Sequence, residues 1–568
     1  MLKENPLQSS GGTDLITCRL NQFITGVFGL HKAVKRSLLM KVNQVAYSRL
    51  SLWSHTDLAY LTHDPALAPF VTYPAVFSSF REIIKHRKDY PVDRPLLHRV
   101  LLKQYQALGI SLPVSESILL NENTYTVTTA HQPTLLTGPL YHIYKIASTI
   151  HLAGELTHSL PEQTVVPVFV IGGEDHDWEE VNHFNLFGRR YEWERTASGP
   201  CGRLSLEGLE KVIGTITELF SNTPFGAGIK EMVNTCLEKA SNYGQFHHML
   251  VHSLFGHLGL VVINMDDPEL KKAFVPLMEK EIREQFSIKY VPPTQSALEA
   301  AGFKAQAFCR PLNLFYMTDG MRERLDVVDG DIKRLESNVT YSTEEAIEEL
   351  KSHPERFSPN VIMRPLYQET ILPNLAYIGG GGEIAYWLER KSQFAAAGVH
   401  FPMLIRRNSL MLIDAGTSGQ MQKADITWED LLSDYDSIVK SYLKRHSQAE
   451  LNFEEELQMI KSAYEVLSAK AEKIDPTLAS AILAEETKQS KQFEQLGSRL
   501  MRAEKQLQDT NLKRIQKLKE KLFPENGLQE RHENFLSFYA QYGQKWIEDM
   551  ITICDPFDEN FIVAELQA

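Results

Sequence analysis

The stretch Thr124-Tyr-Thr-Val-Thr-Thr-Ala-His-Gln-Pro-Thr-Leu-Leu-Thr-Gly-Pro-Leu-Tyr-His-Ile-Tyr-Lys145 decides the fold. Its first seven residues are rich in β-branched side chains and read as a strand. Pro133 and Gly138-Pro139 interrupt regular structure, and from Leu140 to Leu156 apolar residues recur at helical spacing. Residues 164–171 form a second apolar run of strand length and 258–264 a third, with further strand candidates at 312–317, 361–366 and 403–406. Strand, loop, helix and strand in that rhythm predict a parallel α/β sheet.

Working outward, residues 43–120 read as mainly helical, broken early by Pro65, Pro69 and Pro74. Beyond Asp425 the texture changes. Leu457, Ile460, Tyr464, Leu467, Ala471 and Ile474 step by three and four, as in a coiled-coil seam, until Asp475-Pro476 breaks the helix. A second seam runs through Phe493, Leu496, Leu500, Ala503 and Leu507, then slips by one residue to Ile515, Leu518 and Leu522. Two seams around a proline turn predict an antiparallel helical arm over 425–525, with one face of a globular bundle as the competing reading. Residues 40–424 are then the catalytic core, and the aromatic-rich 526–568 packs back on it. Residues 1–39 read as a disordered tail or an overlong gene start, with Met40 as initiator.

A chain of 568 residues exceeds one core. The formal charge of −13, from 59 basic and 72 acidic side chains, repels phosphate backbones and disfavours a nucleic-acid partner. Five scattered cysteines with no CxxC pair suit a reducing cytoplasm. No apolar run approaches the ~20 residues of a membrane helix.

Three constellations carry candidate chemistry. In the first loop His131, Gln132, Thr134 and Thr137 supply donors where a strand ends, and Lys145 is placed two turns into the helix to reach a phosphate. The second, Ile171-Gly-Gly-Glu-Asp-His-Asp-Trp178, gathers three carboxylates and an imidazole after another strand. Such a cluster grips an ammonium, acts as general base through Asp175 or His176, or binds a divalent metal. No HExxH spacing or cysteine partner supports zinc, so no metal is expected. The third runs from Ser358-Pro-Asn through Arg364-Pro-Leu-Tyr-Gln-Glu369 to Gly379-Gly-Gly-Gly-Glu383. Its glycine amides can approach an anion closely, and Arg364 is a candidate anion clamp. Asn313, beside Arg322 and Arg324, is a lesser candidate.

Taken together, the segments 131–145, Glu174-Asp-His-Asp177, Asp266-Asp-Pro-Glu-Leu270, 358–369 and 371–383 resemble the cysteine-adding ligase family of bacillithiol biosynthesis, from about Met40 to the C-terminus. One departure is Ala130-His131-Gln132, where many members open this loop with Gly-Gln-Gln. The resemblance implies a Rossmann-like core with connecting insertions and a coiled-coil arm used for homodimerisation. It implies amide formation between the carboxylate of L-cysteine and the amine of glucosaminyl malate. Amide synthesis is uphill in water, so ATP is the expected energy source. His131, Thr137 and Lys145 are then expected to hold phosphates, while Asp175 and His176 bind or deprotonate the amine. Arg364 and the amides of Gly379, Gly380, Gly381 and Gly382 hold a carboxylate, with Gln132, Glu174, Asp177, Asn313 and Glu383 completing the binding set. A metal-dependent amidohydrolase using Asp175, His176 and Asp177, and a non-catalytic assembly protein, are the alternatives.

Overall fold

The structure, a computed structural model, describes residues 39–447 and 453–567. The N-terminal stretch read as a tail or overlong start lies, except for Leu39, outside the described residues. The chain divides into two compact units, one reaching Leu412 and including Leu528–Gln567, the other Ile413–Gly527.

The first unit is organised by five parallel strands in the spatial order Met403–Arg406, Asn374–Gly379, Thr124–His131, Thr164–Ile171, Val261–Asn264. In chain order this is 5-4-1-2-3, the Rossmann-like arrangement. Strand Thr124–His131 is buried at all but its last position, as expected of a sheet covered on both faces. Three of its buried threonines are satisfied by the neighbouring strand. Thr126 and Thr128 donate to Asn374 Oδ1 at 3.3 and 2.9 Å, and Thr129 donates to the Ile378 carbonyl at 2.8 Å. A one-residue slip would leave these hydroxyls unpaired in the core, so the bonds pin the register.

Two strand expectations are corrected. Residues 361–366 are not a strand, because Arg364 opens the helix Arg364–Ile371 with Pro365 in its first turn, where a missing N–H costs nothing. The strand at this point is Asn374–Gly379, hidden in the sequence by Pro373 before it and the glycine run after it. The candidate at 312–317 is a strand, Leu314–Thr318, but belongs to a separate antiparallel sheet with Thr340–Tyr341, Asp331–Arg334, Met321–Val328 and Phe357–Pro359. This sheet is an insertion between the third and fourth parallel strands. A third sheet pairs Met40–Ala46 antiparallel with Asn560–Leu566, so the chain's last strand closes on the first described one.

In the second unit the helices Glu454–Glu472 and Pro476–Leu507 form an antiparallel hairpin, with Asp475 capping Thr477 N at 2.8 Å. Its inner face differs from the expected seam. Phe493, Gly497 and Met501 line the groove with Phe453 and Leu457, and the absent side chain of Gly497 makes room for the Phe453 ring. Leu496, Leu500 and Leu507 instead face solvent, 53%, 54% and 80% exposed, as do Leu467 and Ile474 on the other helix. The one-residue slip in the seam is a real break. The helix ends at Leu507, and a separate helix, Asp509–Leu522, buries Leu512, Ile515, Leu518 and Leu522.

Candidate active site

In an open parallel sheet, ligands bind beyond the carboxyl ends of the strands where the strand order reverses. Here that point lies between Thr124–His131 and Asn374–Gly379, and a cavity of about 640 Å³ opens there. Strand ends supply His131, Gln132, Asp175 and Gly380 to Glu383, the insertion supplies Arg322, and the helix Arg364–Ile371 supplies Arg364.

The first loop takes an unusual path. Leu136, Thr137 and Gly138 have successive φ of 46°, 65° and 60°. Left-handed backbone is costly for Leu and more so for β-branched Thr, and it persists only where surroundings over-determine it. Asn534 does so, donating from Nδ2 to the carbonyls of Leu136 at 2.9 Å and Gly138 at 2.6 Å. Thr137 ends fully buried and does not line the cavity. Lys145 does not line it either. It is 1% exposed, its ammonium bonded to the Ala130 carbonyl and to both carboxylate oxygens of Glu383 at 2.9 and 2.8 Å. Neither residue is therefore placed to hold a phosphate.

Glu383 also accepts from Tyr377 Oη at 2.7 Å and from Gly380 N at 2.8 Å. Burial raises its carboxyl pKa, but Lys145 and these donors outweigh that and bring it down to about 2. Glu383 thus caps and anchors the helix Gly381–Leu388. Gly379 lies within the strand, its carbonyl accepting from Arg407 N at 2.9 Å, and only Gly380 to Gly382 face the cavity. A Cβ on Gly381 would lie 2.2 Å from the Asp57 carboxylate, itself buried and held by Arg406 at 3.0 and 3.2 Å. Gly381→Ala is accordingly expected to destabilise the protein by about 1–3 kcal/mol. Gly382→Ala, with nothing within 4 Å, should stay within about 0.5 kcal/mol; thermal melts of the two variants check the contrast.

The acidic loop divides by partner. Glu174 is buried and paired with Lys271 at 2.5 Å, in a network where Lys271 also meets Asp266 at 3.1 Å and Arg203 meets Asp266 at 2.7 Å. It is already neutralised and props the loop. Asp175 accepts from Gln132 Nε2 at 2.7 Å and lies 3.5 Å from Arg322 Nη1. Burial alone would raise its pKa, but Arg322 and Gln132 hold it below the usual carboxylate range. Arg322 Nη1 also donates to His176 Nδ1 at 3.0 Å. Burial and that guanidinium lower the imidazole's pKa. His176 and Asp177 are exposed and outside the cavity lining. A guanidinium therefore occupies the position the amidohydrolase alternative needs for a metal between Asp175 and His176. Among the described residues the His/carboxylate group close enough to share a cation is His151, Glu155 and Asp555, none of which lines the cavity.

Asn313 is fully buried, donating to Glu281 Oε1 at 2.8 Å and accepting from Asn360 Nδ2 at 3.1 Å. It positions Asn360 and does not line the cavity. Arg364 does line the cavity, held by Gln368 Oε1 at 3.3 Å and Tyr386 Oη at 3.0 Å, with no carboxylate at ion-pair distance among the described residues. The sequence reading missed Tyr141, Glu180, Arg407 and Arg531, which line the cavity as well. Arg407 follows the strand Met403–Arg406, so a search of strand ends could have found it. Arg531 comes from the far C-terminal segment and carries no local signal.

A Rossmann-like sheet with a cavity at its switch point, lined by four arginines and four carboxylates, is the arrangement in which α/β enzymes bind a small ligand. Comparison with known proteins narrows this. Residues 40–408 match the family model described as the BshC N-terminal Rossmann-like domain of bacillithiol biosynthesis, and residues 410–566 match its C-terminal coiled-coil domain. A protein of Flavobacterium johnsoniae named "Putative cysteine ligase BshC" is 40% identical over 475 residues, covering 83% of this chain and 89% of the relative. Relatives of the same name from Christiangramia forsetii and Bacillus mycoides are 37% and 31% identical, covering 92% and 78% of this chain and 98% and 85% of their own lengths. The chain belongs to the BshC family of bacillithiol biosynthesis and is a ligase-type enzyme. No helix among the described residues is long and apolar enough to cross a membrane.

Proposed function

We propose that the chain joins the carboxylate of L-cysteine to the amine of glucosaminyl malate, the last step of bacillithiol formation, in the switch-point cavity. The observation that carries this reading is Arg364. A guanidinium with no carboxylate partner among the described residues lines the same cavity as Gly380 to Gly382 at the start of the helix Gly381–Leu388, where backbone amides and the helix dipole also favour an anion. That is a seat for the malyl carboxylate. ATP is the proposed energy source. Of the residues expected to hold its phosphates only His131 lines the cavity, so Arg531 is the cation available at that end. Incubating purified protein with cysteine, glucosaminyl malate and ATP should yield bacillithiol together with AMP or ADP by mass spectrometry. Product without nucleotide turnover would sink the ATP assignment, and no product would sink the ligase assignment.

The protein is further proposed to act in the cytoplasm as a homodimer through its arm. The support is the exposed stripe of Leu496, Leu500 and Leu507, an apolar helix face that the hairpin itself leaves uncovered. Leu496→Asp combined with Leu500→Asp is expected to halve the mass seen by sedimentation while leaving the far-ultraviolet helical signal intact. An unchanged mass would remove the arm from the interface.

A further inference from the structure

The cavity wall formed by the first loop presents hydrogen-bond acceptors. His131 Nδ1 lies 3.0 Å from the Gln132 carbonyl, which can only accept, so Nδ1 bears the ring proton and Nε2 is a lone pair. Tyr141 Oη is 3.0 Å from that Nε2. The phenol therefore donates its one proton to the imidazole, and only its lone pairs remain for a ligand. Gln132 in turn directs its amide N–H groups to Asp175 at 2.7 Å and Glu180 at 3.4 Å. Glu180 has no cation at ion-pair distance among the described residues, and Arg531, which lines the same end, makes no ion pair with it. A smaller cavity of about 280 Å³ shares His131, Gln132, Tyr141, Glu180 and Arg531 with the main one. The Arg407 guanidinium lies over the Tyr141 ring, 5.3 Å from its centroid, and holds it in place.

His131 is kept neutral in this arrangement. Burial and the nearby Lys145 ammonium lower its pKa to about 4. A protonated imidazole would force the phenol to accept and would turn its hydrogen towards the ligand, so the neutral ring is what makes Tyr141 an acceptor. Asp175 and His176, expected to handle the amine, are already engaged by Arg322.

We propose that Tyr141 and Glu180 form the seat on which the acceptor's amino group binds, as an ammonium, with His131 as the residue that positions the phenol. The lone pairs of Tyr141 and the Glu180 carboxylate favour a ligand group rich in N–H donors, while Arg364, which also lines the cavity, favours a carboxylate. This assignment rests on the ligase reading above.

Steady-state kinetics of bacillithiol formation, varying glucosaminyl malate and cysteine in turn, test it. Tyr141→Phe is expected to raise KM for glucosaminyl malate about tenfold and to leave KM for cysteine unchanged. Glu180→Gln, at an exposed position that does not threaten folding, should raise the same KM severalfold. His131→Gln, whose amide oxygen can take the phenolic proton, should preserve that KM better than His131→Leu, an order that a purely space-filling role would not produce. If the wild type forms product but Tyr141→Phe and Glu180→Gln leave the acceptor KM within twofold, or shift the cysteine KM instead, the seat is overturned while the ligase reading stands. A wild type that forms no product overturns both.

Discussion

Arg364→Ala should lower kcat/KM for glucosaminyl malate by roughly two orders of magnitude while barely moving the melting temperature. The guanidinium's protein partners are neutral, Gln368 and the Tyr386 hydroxyl, so truncation leaves no buried charge behind in the unliganded protein. In the complex it leaves a substrate carboxylate desolvated and unpaired, a loss of about 3 kcal/mol for a charge-assisted pair. Arg364→Lys keeps the charge but not the planar fork, and should recover only part of the loss. Equal kinetics for wild type and Arg364→Ala would show that the anion binds elsewhere.

Lys145→Met should behave in the opposite way, as a folding lesion first. Its ammonium is the counter-ion of Glu383, 2.8 Å away, and removing one partner of a buried pair costs about 3–5 kcal/mol. Urea denaturation should show that loss, and activity should fall with the folded fraction. A phosphate-binding lysine would give the reverse, intact stability with low kcat. The pair also sets an acid limit. Glu383's folded pKa of about 2 lies below the ordinary glutamate value of 4.5. Its contribution is therefore fully present above about pH 4.5 and is lost as pH falls towards 2. Lys145 stays charged throughout that window, so the carboxylate governs it. In Lys145→Met this part of the acid dependence should shrink.

Much of the core was legible because it is local. The strand, loop and helix over 124–159 follow from side-chain period and from proline and glycine, as do the strands 164–171 and 403–406. The strand Asn374–Gly379 was obscured because its glycine end resembles a loop, although Leu375 to Ile378 are buried in the sheet. In the arm, period alone could not choose between two apolar faces. Gly497 counts as non-apolar in any pattern, yet it is where the Phe453 ring packs.

The candidate site was legible as a place and less so as a set of roles. Strand-end logic found His131, Gln132 and Asp175, whereas the glycine run was found by its free amides and Arg364 by its place beside Pro365 in a stretch read as a strand. It could not see that Lys145 is bound to Glu383, Glu174 to Lys271, or Asn313 to Glu281, because each partner lies elsewhere in the chain. A charged residue beside a motif reads as a ligand group until its counter-ion is located. Tyr141 is the converse case. A tyrosine at the start of a helix looks like packing, and only the orientation of His131's ring proton makes it an acceptor.

On the proposed reading one cavity, at the strand-order switch point, holds the acceptor's amine at Tyr141 and Glu180 and its carboxylate at Arg364. A crystal structure of the protein with glucosaminyl malate bound tests this most directly. The expected result is a malyl carboxylate against Arg364 and the first amides of the helix Gly381–Leu388, with the sugar amine within hydrogen-bond distance of Tyr141 Oη and Glu180. Acceptor density outside this cavity, or the amine turned towards Arg364, would contradict it.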